Sequence, residues 1–205
     1  MNWWLRAHAA TLSFRVLTAS MLLAPLLGGS SVPIPSLLAG MSAGIPVALV
    51  LPAVPAAVVL QAINRVPRVY DTNAVRPVAY YRAGMLAAVS LMAIALGLGA
   101  AGYAEDPSMS FAVTRNLLGY LGAGLIAQYL VGRQYGPLTV ALVPVLCALV
   151  GLGPGGRPFP WTWPLHEGGS PIAAASALLL LILGITAVTV LVPRRRVERR
   201  APSIE

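Results

Sequence analysis

Few side chains in this sequence can do acid, base, nucleophilic or metal chemistry, and their spacing keeps them apart. The acidic residues are Asp71, Glu105, Asp106, Glu167, Glu198 and Glu205, the histidines are His8 and His166, and the single cysteine is Cys147. His166 and Glu167 adjoin and supply a ring nitrogen and a carboxylate, the donors of a metal site or an acid/base couple. Two ligands without a third partner in sequence make a poor site, so no metal and no catalytic residue is expected. Cys147 lies inside an apolar run and reads as a small buried hydrophobe, with neither a disulfide nor a thiolate cluster in prospect. All 14 basic residues are arginines. Without lysine there can be no phosphate-binding P-loop and no Schiff base, so the chain is not expected to be an enzyme.

The elements that must carry these residues are apolar. Of 205 residues, 58% are hydrophobic and only 10% are charged, too few to solvate a globular surface of this size. The net charge of +8 does not read as nucleic-acid binding, because the arginines lie between or beyond the apolar runs and act as topology signals. A helix rises about 1.5 Å per residue, so a hydrocarbon core of about 30 Å takes about 20 residues to cross. Six stretches come close: 14–32, 37–60, 83–103, 111–131, 137–153 and 172–192. The expected fold is an all-α integral membrane protein, a bundle of six transmembrane helices in one domain over residues 1–193, followed by a basic, disordered tail over 194–205. Arg6 and Arg15 ahead of an apolar stretch ending in small residues resemble a secretory signal, but the later spans favour an uncleaved first helix. With both termini cytoplasmic, only Arg115 and Arg157 fall on the outer side.

Within the spans, Pro46, Pro52 and Pro55 should kink or locally unwind the second helix and turn it toward protein or a pathway, since proline removes a backbone hydrogen bond. Gly40 with Gly44, and Ala95 with Gly99, have the spacing that lets helices approach closely. No carboxylate or histidine lies near the middle of a span, which argues against an ion-coupled carrier. Gln128 is the deepest polar group and is expected to bond between helices. Arg115, beside Asn116 at the start of span four, is expected to form an ion pair with Glu105 and Asp106 at the outer surface.

Two segments outside the spans stand out. The inner loop from Gln61 to Arg82 carries Arg65, Arg68, Tyr70, Asp71, Asn73, Arg76, Tyr80 and Tyr81, a mixture that suits either a docking surface or a solvated loop with tyrosines at headgroup depth. The outer segment from Pro154 to Pro171 holds Phe159, Trp161, Trp163, His166 and Glu167 among prolines and glycines. Tryptophans prefer the membrane interface, so this segment is expected to dip into or lie on the outer leaflet as a gate. The cluster Arg194, Arg195 and Arg196 should attract anionic lipid, at about 1 kcal/mol per arginine.

Six spans, an inner loop after the second and a partly apolar outer segment before the sixth together resemble the permease subunit of type 2 ATP-binding-cassette exporters. The runs Arg115-Asn116-Leu117-Leu118-Gly119 and Pro160-Trp161-Thr162-Trp163-Pro164-Leu165 look like those of small actinomycete-type members. The resemblance implies a coupling helix over Arg65 to Arg76 that docks on a separate ATPase subunit, and re-entrant helices over Pro158 to Glu167. It further implies ATP and Mg held by that partner, a homodimer or a heterodimer with another permease, an apolar or amphipathic substrate, and the bacterial cytoplasmic membrane. Pro46, Pro52, Pro55, Arg115, Asn116 and Gln128 would then serve the pathway or helix packing. The chain departs from that family over Asn2 to Ser13, which offers only Arg6 and His8 where a charged amphipathic helix is the rule. A six-span substrate-binding subunit of a vitamin importer and a membrane scaffold or regulator are the alternatives.

Overall fold

A computed structural model describes residues 9–38, 42–65, 78–103 and 107–191. Arg68, Tyr70, Asp71 and Arg76 of the inner loop, Glu105, Asp106 and the tail over 194–205 lie outside them.

The first helix, α1 (Ala10–Leu26), has Pro25 in its last turn and ends ahead of the glycines at 28 and 29. A hairpin comes next: β1 (Ser31–Pro35) pairs antiparallel with β2 (Ser42–Pro46), Val32 opposite Ile45 and Ile34 opposite Ala43. Proline disfavours the helical conformation in the residue before it, so Pro33, Pro35 and Pro46 press Val32, Ile34 and Ile45 into extended backbone. The expected second span over 37–60 is thereby corrected at Ser42–Pro46, which is extended, and the helix of the first span stops at Leu26 instead of Val32.

Helix formation resumes in α2 (Val47–Val50), breaks at Leu51 and Pro52, and continues in α3 (Ala53–Asn64). Pro46 ends β2, Pro52 lies in the break and Pro55 sits in the first turn of α3, where a missing N–H costs least. The remaining helices are α4 (Val78–Tyr103), α5 (Ser108–Leu130), α6 (Tyr135–Val150) and α7 (Pro171–Thr186), the last running into a π-helical turn at Ala187–Leu191. Pro144 is accommodated inside α6, and Cys147 is buried there.

Three helical stretches among the described residues are long and apolar enough to cross a membrane: Val47–Asn64, Tyr80–Tyr103 and Pro171–Thr189, with mean hydropathies of 2.0, 2.0 and 2.4. Leu91, Leu98, Leu179, Ile182 and Leu183 are exposed on them, an outward apolar surface that suits lipid better than water. The protein is therefore a mostly helical, membrane-embedded chain. α1 and α6 are apolar but shorter, at 17 and 16 residues.

α5 differs from all of these. It is 23 residues long and carries Arg115, Asn116 and Gln128, yet most of it is buried, and it touches α1, α2, α3, α4, α6 and α7. Its polar groups are tolerated because other helices cover them. The closest approach is to α7: a Cβ at Gly122 would strike the Leu180 and Leu181 main chain, and one at Gly184 the Gly122 carbonyl. Ala95 and Gly99, read as a close-packing pair, are exposed on α4, and Gly99 has open space beside it. Gly40 is outside the described residues, and its partner Gly44 lies in β2 against the Ser31 side chain.

The ends of the bundle are sorted. Asn64 Nδ2 donates to the Arg133 carbonyl at 2.9 Å, joining the C-terminus of α3 to the turn after α5. At the opposite end, residues 151–170 fold back between α6 and α7, and the Leu37 N–H donates to the Leu149 carbonyl at 2.9 Å.

Candidate functional site

The segment between α6 and α7 contains two short 3-10 turns, Pro154–Gly156 and Trp163–Leu165, and a bridge between Leu152 and Pro158. Gly155 and Gly156 sit at φ 79° and 75°, left-handed backbone that glycine adopts without a steric penalty. Thr162, fully buried, has its hydroxyl 2.7 Å from the Phe159 carbonyl and 3.2 Å from that of Gly151, which closes the loop on itself.

Such irregular backbone exposes carbonyls that no helix satisfies, and α5 answers them. Arg115 is 6% exposed; its Nη1 donates to the Glu167 carbonyl at 2.7 Å and its Nη2 to that of His166 at 2.8 Å. Its Nε donates to Asn116 Oδ1 at 3.3 Å. Asn116 is fully buried, and its Nδ2 donates to the Pro164 carbonyl at 3.1 Å and the Leu49 carbonyl at 3.2 Å. One turn further on, the Tyr120 hydroxyl donates to Leu49 as well, also at 3.2 Å. Leu49 lies in the last turn of α2, where helical carbonyls lack internal partners, so the break at Pro52 and the loop between α6 and α7 meet on one face of α5.

Trp163 completes the seat. Its indole is buried across Gly119, where a Cβ would clash with the ring nitrogen, and tilts against Tyr120 with centroids 6.1 Å apart. The indole nitrogen is buried without a hydrogen-bond partner among the described residues.

Several expectations change here. Arg115 does not lie at the surface: Glu105 and Asp106 are outside the described residues, and its guanidinium is committed to main-chain carbonyls because α5 turns it toward the returning loop. As for the neighbouring pair, His166 Nε2 lies 3.0 Å from the Phe159 carbonyl while Glu167 is exposed. Trp161 is 53% exposed and stacked on Phe159, as an interfacial residue would be, whereas Trp163 is core. Gln128 makes no hydrogen bond through its amide nitrogen among the described residues; it is buried against Gly136 of α6. Arg65 borders a groove with Ala9, Leu12 and Gln61, apart from the site on α5.

Tyr120 was missing from the sequence reading. Its spacing of four from Asn116 puts both on one helical face, a signal that was available. Among the described residues, no three histidine, cysteine or carboxylate side chains converge as a metal site would need. Chemically, the arrangement clamps a loop and fixes a positive charge inside the bundle.

No family model matches the chain, and no curated protein or solved structure matches it either.

Proposed function

We propose that the chain is the membrane-spanning permease subunit of an ATP-binding-cassette transporter, with six spans, both termini cytoplasmic, and a separate ATPase subunit supplying ATP and Mg chemistry. The observation that carries this reading is the segment over 151–170, folded back into the bundle and held by Arg115 and Asn116. A re-entrant segment before the last span is what such exporters place over an outer exit. The sorted ends support it further: Asn64, Arg65 and Arg133 gather at one end, away from the returning loop, as a positive-inside arrangement requires. The docking surface for the ATPase is then the loop containing Arg65, Arg68, Tyr70, Asp71 and Arg76, and the transported substrate is apolar or amphipathic.

A membrane scaffold is the second reading. It is favoured by the donation of the site's polar groups to the protein's own backbone, which leaves little polar lining for a transported ligand.

The two separate on purification of the tagged full-length chain in nanodiscs with its native partners. The transporter reading expects an ATPase in defined stoichiometry, with ATP hydrolysis stimulated by the membrane subunit. Arg68→Glu combined with Arg76→Glu should reduce that stimulation by about tenfold through reversed charge at the docking loop. Recovery of the chain alone, or unchanged stimulation in the double variant, would count against it.

A further inference from the structure

α4, α5 and α7 do not close completely where Arg115 sits. Between them lies a groove of about 290 Å³ lined by Ile94, Leu98, Phe111, Leu118, Ala174 and Leu178, with Arg115 among its walls. Leu98, Phe111 and Leu178 are all well exposed, so the groove opens on the outward, apolar face of the bundle. Arg115 lies seven residues into α5, about 10 Å from its start at 1.5 Å per residue, and so below the level of the helix end.

The guanidinium there is cationic, and every acceptor it meets among the described residues is neutral: two main-chain carbonyls and the Asn116 amide oxygen. Glu167 is the only carboxylate among the described residues, and it contributes its main-chain carbonyl, with its side chain exposed. Three hydrogen bonds leave some of the guanidinium's N–H donors without a partner among the described residues. A buried charge without an opposite charge is costly, and a planar guanidinium with spare N–H groups is well matched to a phosphate. The walls then decide the source of that phosphate: apart from Arg115 itself and Thr114, whose hydroxyl already donates to the Ser110 carbonyl, their side chains are apolar and accept an acyl chain better than a hydrated free anion.

We propose that this groove is a binding site for an anionic phospholipid, with one acyl chain against Leu98, Phe111 and Leu178 and its phosphate on the remaining N–H groups of Arg115. The site does not depend on the transport reading and would equally serve a scaffold. By holding Arg115, the bound lipid would stiffen the loop at His166 and Glu167.

The test is lipid retention by the full-length protein, delipidated in detergent, titrated with phosphatidylglycerol or phosphatidylcholine and followed by native mass spectrometry. Wild type should hold its tightest lipid with a preference of about tenfold for phosphatidylglycerol, the size of a charge-assisted contact. Arg115→Gln should abolish that preference. Ala174→Trp fills the groove from α7 and leaves the Arg115 hydrogen bonds in place, so it should also abolish the preference while the protein elutes as a folded species. The arginine tail is present in all three proteins and sets a common background. Equal retention of the two lipids by wild type, or an undiminished preference in folded Ala174→Trp, would overturn the proposal. ATPase recovery plays no part in the readout, so failure here leaves the transporter reading standing.

Discussion

The two ends of α5 handle buried polar side chains in opposite ways. Near its start, Arg115, Asn116 and Tyr120 face the returning loop and the last turn of α2, and each finds a carbonyl in need of a donor. Near its finish, Gln128 faces the first turn of α6, where Gly136 brings the helix close and the amide nitrogen finds no acceptor among the described residues. A regular helix has already consumed its carbonyls on its own N–H groups, whereas a loop inside a bundle has carbonyls to offer. Polar donors on a central helix are thus satisfied opposite a loop or a helix's last turn, where carbonyls are free, and not opposite a helix's regular backbone.

That comparison can be broken most directly at Asn116. Asn116→Ala removes three hydrogen bonds and leaves a cavity; at about 0.6 kcal/mol per bond in membrane proteins plus the cavity, it should cost about 2 to 3 kcal/mol. Thermal unfolding in a fixed detergent would show a clear fall in Tm, and an unchanged Tm would mean that the network holds nothing. Gly136→Ala should cost less, about 1 to 2 kcal/mol, because the atoms nearest the new methyl all belong to the flexible Gln128 side chain. Its penalty should largely vanish in a Gln128→Ala background, and simple additivity of the two substitutions would deny the contact. The smallest effect has the opposite sign. Gln128→Leu should be neutral or stabilising by up to about 1 kcal/mol, since it replaces an amide nitrogen that has no partner. A marked loss of stability there would show that Gln128 has a partner beyond the described residues.

Legibility in the sequence followed the range of the interactions involved. The apolar runs marked most of the helices within a few residues, because lipid-compatible length and composition are local properties; 83–103 became α4 and 172–192 became α7 with its π turn. The hairpin was missed although its cause was visible, since Val32, Ile34 and Ile45 each precede a proline. Apolarity alone does not distinguish a helix from an extended segment in so hydrophobic a chain. Trp161 and Trp163 are two residues apart and read alike, yet one is exposed and the other lies across Gly119.

By itself, the sequence determined that this is a membrane-embedded, mostly helical chain, for its long apolar runs and few charges leave few other readings. Only the tertiary structure decided what Arg115 and Asn116 do. Their acceptors other than one another lie 48 to 67 residues away in the chain. Which carbonyls a buried donor meets depends on where a proline break and a returning loop come to rest against α5, and that is set by the packing of the whole bundle.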